Sequence, residues 1–122
     1  MPASEPTIVL VTAGDEQQAQ SIAHHLVDER LAACVNIVGP IRSVYRWRDA
    51  VADEPEFLLL IKTRVSLLGR LERRVLELHS YEVPEVLALG PSGGSAAYLG
   101  WLFEATAPKP KRAKARAPGR RG

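Results

Sequence analysis

Apolar positions along the chain alternate between two periodicities, and their order predicts a small α+β domain. Thr7 to Ala13 holds a compact apolar run, Ile8 through Val11, suited to a central strand. Asp15 then stands where a helix N-cap belongs, with Gln18 in the capping-box position. Ala19, Ile22, Ala23, Leu26 and Leu31 follow at helical spacing, so a first helix is expected to about Arg30. In Ala33 to Val38 the period becomes two, and Gly39-Pro40 interrupts the run as a bulge or bend. Beyond it, Ile41, Ser43, Tyr45 and Trp47 share one face, while Arg42, Val44, Arg46 and Arg48 share the other. Asp49 to Pro55 reads as a turn and Phe57 to Thr63 as the returning strand, making residues 33–63 one long hairpin.

Ser66 is placed to cap a second helix, in which Leu68, Leu71, Val75 and Leu78 form the apolar stripe up to His79. Val86 to Leu89 reads as a further strand, and Ala96 to Thr106 as a closing helix. The order β-α-β-β-α-β with an extra C-terminal helix is the ferredoxin-like sandwich. Two helices on one face of such a sheet leave the other face open, and here it would carry apolar residues. Self-association is the expected remedy.

Charge divides the chain in two. All 14 acidic residues precede Ala107, against nine basic ones, and residues 107–122 carry seven basic residues and no acid. The expected organisation is a domain over 1–106 and a disordered basic tail over 107–122, whose three prolines and missing large apolar residues oppose folding. No stretch approaches the roughly 20 apolar residues of a membrane helix. Met1 to Pro6 lacks the basic cluster and apolar run of a secretory signal, and the single cysteine, Cys34, has no internal disulfide partner. A cytoplasmic setting is the expectation.

Five local signatures carry a resemblance: Leu31-Ala-Ala-Cys-Val-Asn-Ile37, Ser43-Val-Tyr-Arg-Trp47, Lys62-Thr63, His79-Ser-Tyr-Glu-Val-Pro-Glu85 and Tyr98-Leu-Gly-Trp101. Together they resemble the CutA divalent-cation tolerance family, across residues 7 to 106. The resemblance implies a ferredoxin-like subunit, a homotrimer built by inter-subunit pairing of the long hairpin, and an association with copper and other divalent cations in the response to metal ions. Two positions depart from the family pattern. Ser80 stands where proline usually follows the histidine, and Asp49 stands where glycine commonly lies two positions after the hairpin tryptophan.

Cys34 and His79 match the family's copper-associated positions, and thiolate and imidazole suit copper. Two ligands do not complete a site, so Glu82 or groups from a neighbouring subunit would have to join them. The opposing reading makes Cys34 a half-buried strand residue and His79 a helix C-terminal residue. His24 and His25 fall on the outer face of the first helix and are assigned to solvation. Tyr45 and Trp47 are accounted for as interface aromatics, although Trp47 and Lys62 beside the 79–85 segment would form a small polar pocket.

No organic cofactor is expected. Cys34 and His79 as nucleophile and base would lack an orienting group and oxyanion donors, and Gly90-Pro-Ser-Gly-Gly94 lacks the ending of a phosphate loop. The expectation is therefore a protein that is not an enzyme. Specific nucleic-acid recognition is opposed by an aliphatic central strand and an acidic body. A trimeric regulatory module similar to PII signalling proteins, sensing a small anionic ligand between subunits, is the alternative.

Overall fold

The computed structural model describes residues 5–108. The elements run β1 (Pro6–Ala13), α1 (Glu16–Asp28), β2 (Cys34–Trp47), β3 (Ala50–Arg64), a 3-10 turn (Val65–Leu67), α2 (Leu68–Leu78), β4 (Leu87–Leu89) and α3 (Ala96–Ala105). One antiparallel sheet in the order β2-β3-β1-β4 carries the ferredoxin-like topology expected from the apolar pattern. The reading of residues 107–122 as a tail falls almost wholly outside the described residues. Among the described residues no helix is long and apolar enough to cross a membrane.

Period-two alternation separates the two faces. Thr7, Val9, Val11 and Ala13 are buried on one side of β1, and their partners Thr63, Ile61 and Leu59 are fully buried with them. Ala19, Ile22 and Leu26 of α1, with Leu71 and Val75 of α2, close over this face. Each fully buried aliphatic side chain contributes about 1.5–3 kcal/mol over exposure. On the opposite face, rows such as Asn36, Leu60, Leu10 and Leu87 lie side by side, and Leu87 and Leu89 are exposed.

Local chemistry sets the element ends. Asp15 caps α1 by accepting from the Gln18 amide at 2.7 Å. Its C-terminus closes as a Schellman motif: the Leu31 amide donates to Leu26 O at 2.9 Å and that of Arg30 to Val27 O at 3.1 Å, with Arg30 at φ 60°. Ser66 does not cap α2; it lies inside the 3-10 turn, and Leu67 precedes the helix with no side-chain cap. The turn buries Leu67 against the core and leaves Ser66 facing solvent, so apolar packing decides the helix start.

The interruption at Gly39-Pro40 is a bulge, with these two residues opposite Phe57 and a cis peptide between them. A Cβ at Gly39 would meet the Phe57 ring at 2.5 Å, so the position has room only for glycine.

The hairpin tip differs from expectation. Only Arg48 and Asp49 form the turn, and β3 begins at Ala50. Both turn residues have positive φ, 48° and 65°, the type I′ signature that continues the twist of two paired strands. The polar stretch through Pro55 is strand because its side chains have partners across the hairpin. Arg42 makes a bidentate pair with Asp53 at 2.7 Å, and the Tyr45 hydroxyl donates to Glu54. Asp49 occupies a left-handed position that glycine adopts without steric penalty. Asp49→Gly is expected to stabilise the chain by about 0.5–1 kcal/mol, read as a higher midpoint in urea denaturation.

Candidate ligand cleft

β3 is longer than its partner β1. Past the Ala13–Phe57 pair, β2 and β3 continue alone as a two-stranded arm. The segment from Ser80 to Glu85 folds into the corner between this arm and the end of β1, enclosing a cleft of about 680 Å³. Tyr45 and Trp47 line it from the arm, Glu56 from β3, and Tyr81, Glu82 and Glu85 from the 80–85 segment. Tyr45 and Trp47 fall on the strand face that alternation assigns them. Among the described residues, no Lys, Arg or His lines it.

His79 pins the corner. It ends α2, is 9% exposed, and lies with its Nε2 2.7 Å from the carbonyl of Thr12. The Tyr81 amide donates to Nδ1 at 3.1 Å. An acceptor at Nδ1 requires the proton on Nε2, which donates to Thr12, so both ring nitrogens are engaged by the backbone. The fold of the segment brings the Tyr81 ring to 4.6 Å from the imidazole and its hydroxyl to Glu56, donating at 2.7 Å. Ser80, at the position where the family usually has proline, donates to Gln18 Oε1 at 3.1 Å and ties the segment to α1.

Negative charge is crowded here. Glu56 is only 5% exposed, with Tyr81 as its donor. Burial, then the hydrogen bond to Glu56, pushes the Tyr81 hydroxyl well above the usual phenol range, so it remains a donor throughout the accessible pH range. Burial against the cleft wall, and then the Glu56 charge, raises the Glu85 carboxyl. Glu82, at the rim, is ion-paired with Arg48 at 2.6 Å.

Cys34, His79 and Glu82 do not meet within one chain. Cys34 opens β2 opposite Lys62, in a row on the open sheet face, with its thiol 3.9 Å from Asn36 Oδ1. The row containing Thr12, where His79 is pinned, lies four residues away along β3, roughly 13 Å. Among the described residues no three His, Cys, Asp or Glu side chains form a group able to hold a metal ion. His24 and His25 are exposed on α1, and His25 contacts Ser21 O at 2.8 Å. Lys62 does not line the cleft, while Trp47 does. Glu56 escaped sequence reasoning. Its only signal was an acidic residue directly before the apolar run Phe57 to Ile61.

Two outcomes follow from this geometry. Tyr81→Phe removes the donor of a buried carboxylate and is expected to cost about 1–3 kcal/mol in denaturant unfolding. Because the Glu85 carboxyl is raised from 4.5, the folded chain holds that proton more tightly than the unfolded one. Its stabilising effect is complete below pH 4.5 and is lost as pH rises through the folded value. Glu85→Gln, a mimic of the protonated side chain, is therefore expected to raise Tm at pH 7 and to lose that advantage below pH 4.5.

Residues 7–105 match the family model of the CutA1 divalent ion tolerance protein. The divalent-cation tolerance protein CutA of Thermus thermophilus is 48% identical over 99 residues, covering 81% of this chain and 96% of that protein. Human protein CutA is 42% identical over 96 residues, covering 79% of this chain and 54% of its own length. The chain thus spans nearly all of the bacterial relative but about half the length of the human, mouse and Arabidopsis ones. Among solved structures, the Thermus thermophilus Cut A1 protein superposes with TM-score 0.81 at 47% identity, covering 84% of this chain and 99% of that one. CutA1 from Oryza sativa gives TM-score 0.82 at 43% identity, covering 88% and 100%. Relatives are named chloroplastic in Arabidopsis and periplasmic in Archaeoglobus fulgidus. With its sheet order, its hairpin and its 79–85 segment matched along nearly the whole described chain, this protein belongs to the CutA1 divalent ion tolerance family.

Proposed function

We propose that this chain works as a homotrimeric divalent-cation tolerance protein in the cytoplasm, binding copper or another divalent cation weakly and without catalysing a reaction. The observation that carries this reading is the acidic cleft, where Glu56, Glu82 and Glu85 line one volume with no base among the described residues that line it. Carboxylate oxygens suit divalent ions that keep part of their water shell, and because the described acidic residues form no three-ligand group, binding through one or two of these carboxylates would be weak and reversible. Copper held by Cys34, His79 and Glu82 would instead need these groups brought together from different subunits, with His79 giving up one of its backbone partners. Trimerisation is favoured by the apolar rows on the open sheet face and by an arm too long for its own sheet.

Static light scattering at micromolar protein is expected to give three times the chain mass, and a monomer would refute the assembly. Competitive Cu(I) and Cu(II) titrations of the wild type are expected to show weak binding, weakened at least about fivefold in Glu85→Gln. Loss of tight binding in Cys34→Ser, His79→Ala or Glu82→Ala would move the site to those ligands. Absence of binding in the wild type would end the direct metal role.

A further inference from the structure

At the rim of the cleft the chain already seats a cation of its own. The Arg48 guanidinium lies 5.1 Å from the centroid of the Trp47 ring and 2.6 Å from Glu82 Oε2. Both partners are cleft residues. An alkyl-guanidinium is thus held between an aromatic face and a carboxylate, which is how proteins recognise organic cations.

Further in, the same pairing of ring and carboxylate recurs without a cation. Tyr81 stands beside Glu56, its hydroxyl donating to that carboxylate so that the two groups are fixed relative to one another, and Tyr45 adds a further ring to the lining. Glu85 adds another carboxylate, and Val44 and Val83 give the cleft apolar wall. Aromatic faces do nothing for a divalent ion that keeps its water shell, but they attract weakly hydrated ammonium and guanidinium groups. Apolar wall likewise serves a methylene stem and not a metal.

We infer that this cleft is a binding site for organic cations, namely a primary ammonium or guanidinium group on a slim aliphatic stem, with Arg48 at its rim as an intramolecular competitor for Trp47 and Glu82. The inference shares the cleft with the metal proposal and does not depend on it. The ligand chemistry has two sources: a free amine of the agmatine or polyamine class, or the lysine and arginine side chains within residues 107–122 of the chain itself.

Agmatine and spermidine are titrated at low salt with EDTA present, followed by tryptophan fluorescence and calorimetry. The full chain is compared with one ending after Pro108. That shorter chain retains every described element and the core they form, and the matched region makes up 96% of the Thermus relative. Saturable agmatine binding is expected, weakened about three- to tenfold in Trp47→Leu and Glu56→Gln, and tightened by a similar factor in Arg48→Ala, where the internal competitor is gone. Trp47 is 42% exposed, so its variant leaves the core intact even if Glu56→Gln fails to fold. Equal affinity for both chain lengths assigns the cleft to a free amine, and tighter binding by the shorter chain assigns it to the chain's own basic residues. No saturable binding by either length, or affinities unmoved by both Arg48→Ala and Trp47→Leu, overturns the inference. Because metal is absent throughout, a failed copper titration leaves this result standing, and the converse also holds.

Discussion

β3 must satisfy two neighbours over unequal lengths, and the remaining architecture follows from how it does so. Its C-terminal half, from Phe57 to Arg64, is sandwiched between β1 and β2, where Leu59 and Ile61 reach full burial. Its N-terminal half has β2 alone. An isolated two-stranded ribbon is marginally stable in water, so the arm needs support beyond its ladder. The Arg42–Asp53 pair and the Tyr45–Glu54 hydrogen bond act across the ribbon. Tyr81–Glu56 and Arg48–Glu82 tie it to the 80–85 segment. Those two ties bound the cleft, so the contacts that steady the arm also form the walls of the site.

Between core and arm stands the bulge. With Gly39 and Pro40 opposite Phe57, β2 gains a residue and bends as it leaves the sheet. Phe57 packs against the core cluster, its ring occupying the space a Cβ at Gly39 would need. The arm's departure is therefore coupled to core packing, while its outer end depends on polar contacts between exposed groups. Such contacts are individually weak and screened by salt. The arm's outer end is accordingly more sensitive to ionic conditions than the core between β1, β3 and the helices.

Much of this was legible in the residues. The compact apolar run Ile8 to Val11 and the returning stretch Phe57 to Thr63 identified the inner strands, and Asp15 with Gln18 located the start of α1, because apolar runs and capping are local properties. The hairpin tip was misjudged for a physical reason. Residues 50–55 are acidic or small, a composition shared by loops and by ribbons whose stability comes from cross-strand pairs. Only the register, which sets Asp53 beside Arg42 and Glu54 near Tyr45, separates the two. Ser66 failed as a cap because burying Leu67 decides that helix start. Within the cleft, the 79–85 cluster and Trp47 could be anticipated, but Glu56 could not. Its burial arises from Tyr81, 25 positions away.

His79 links the metal reading to the organic-cation reading, since its two ring nitrogens hold the corner on which the cleft is built. Coordination through Nε2 would release Thr12, and coordination through Nδ1 would release the Tyr81 amide. Each hydrogen bond is worth about 0.5–1.5 kcal/mol net, a modest sum against the binding of a soft metal ion. The larger effect is on position. Tyr81 is the donor to Glu56 and a wall of the cleft, so displacing its backbone would loosen a buried carboxylate and open the site. Within one chain, a metal on His79 and an intact cleft are therefore competing states. A cation held by the cleft carboxylates leaves both backbone bonds in place. In that arrangement the imidazole orients the residues that meet the ligand and is not itself a ligand.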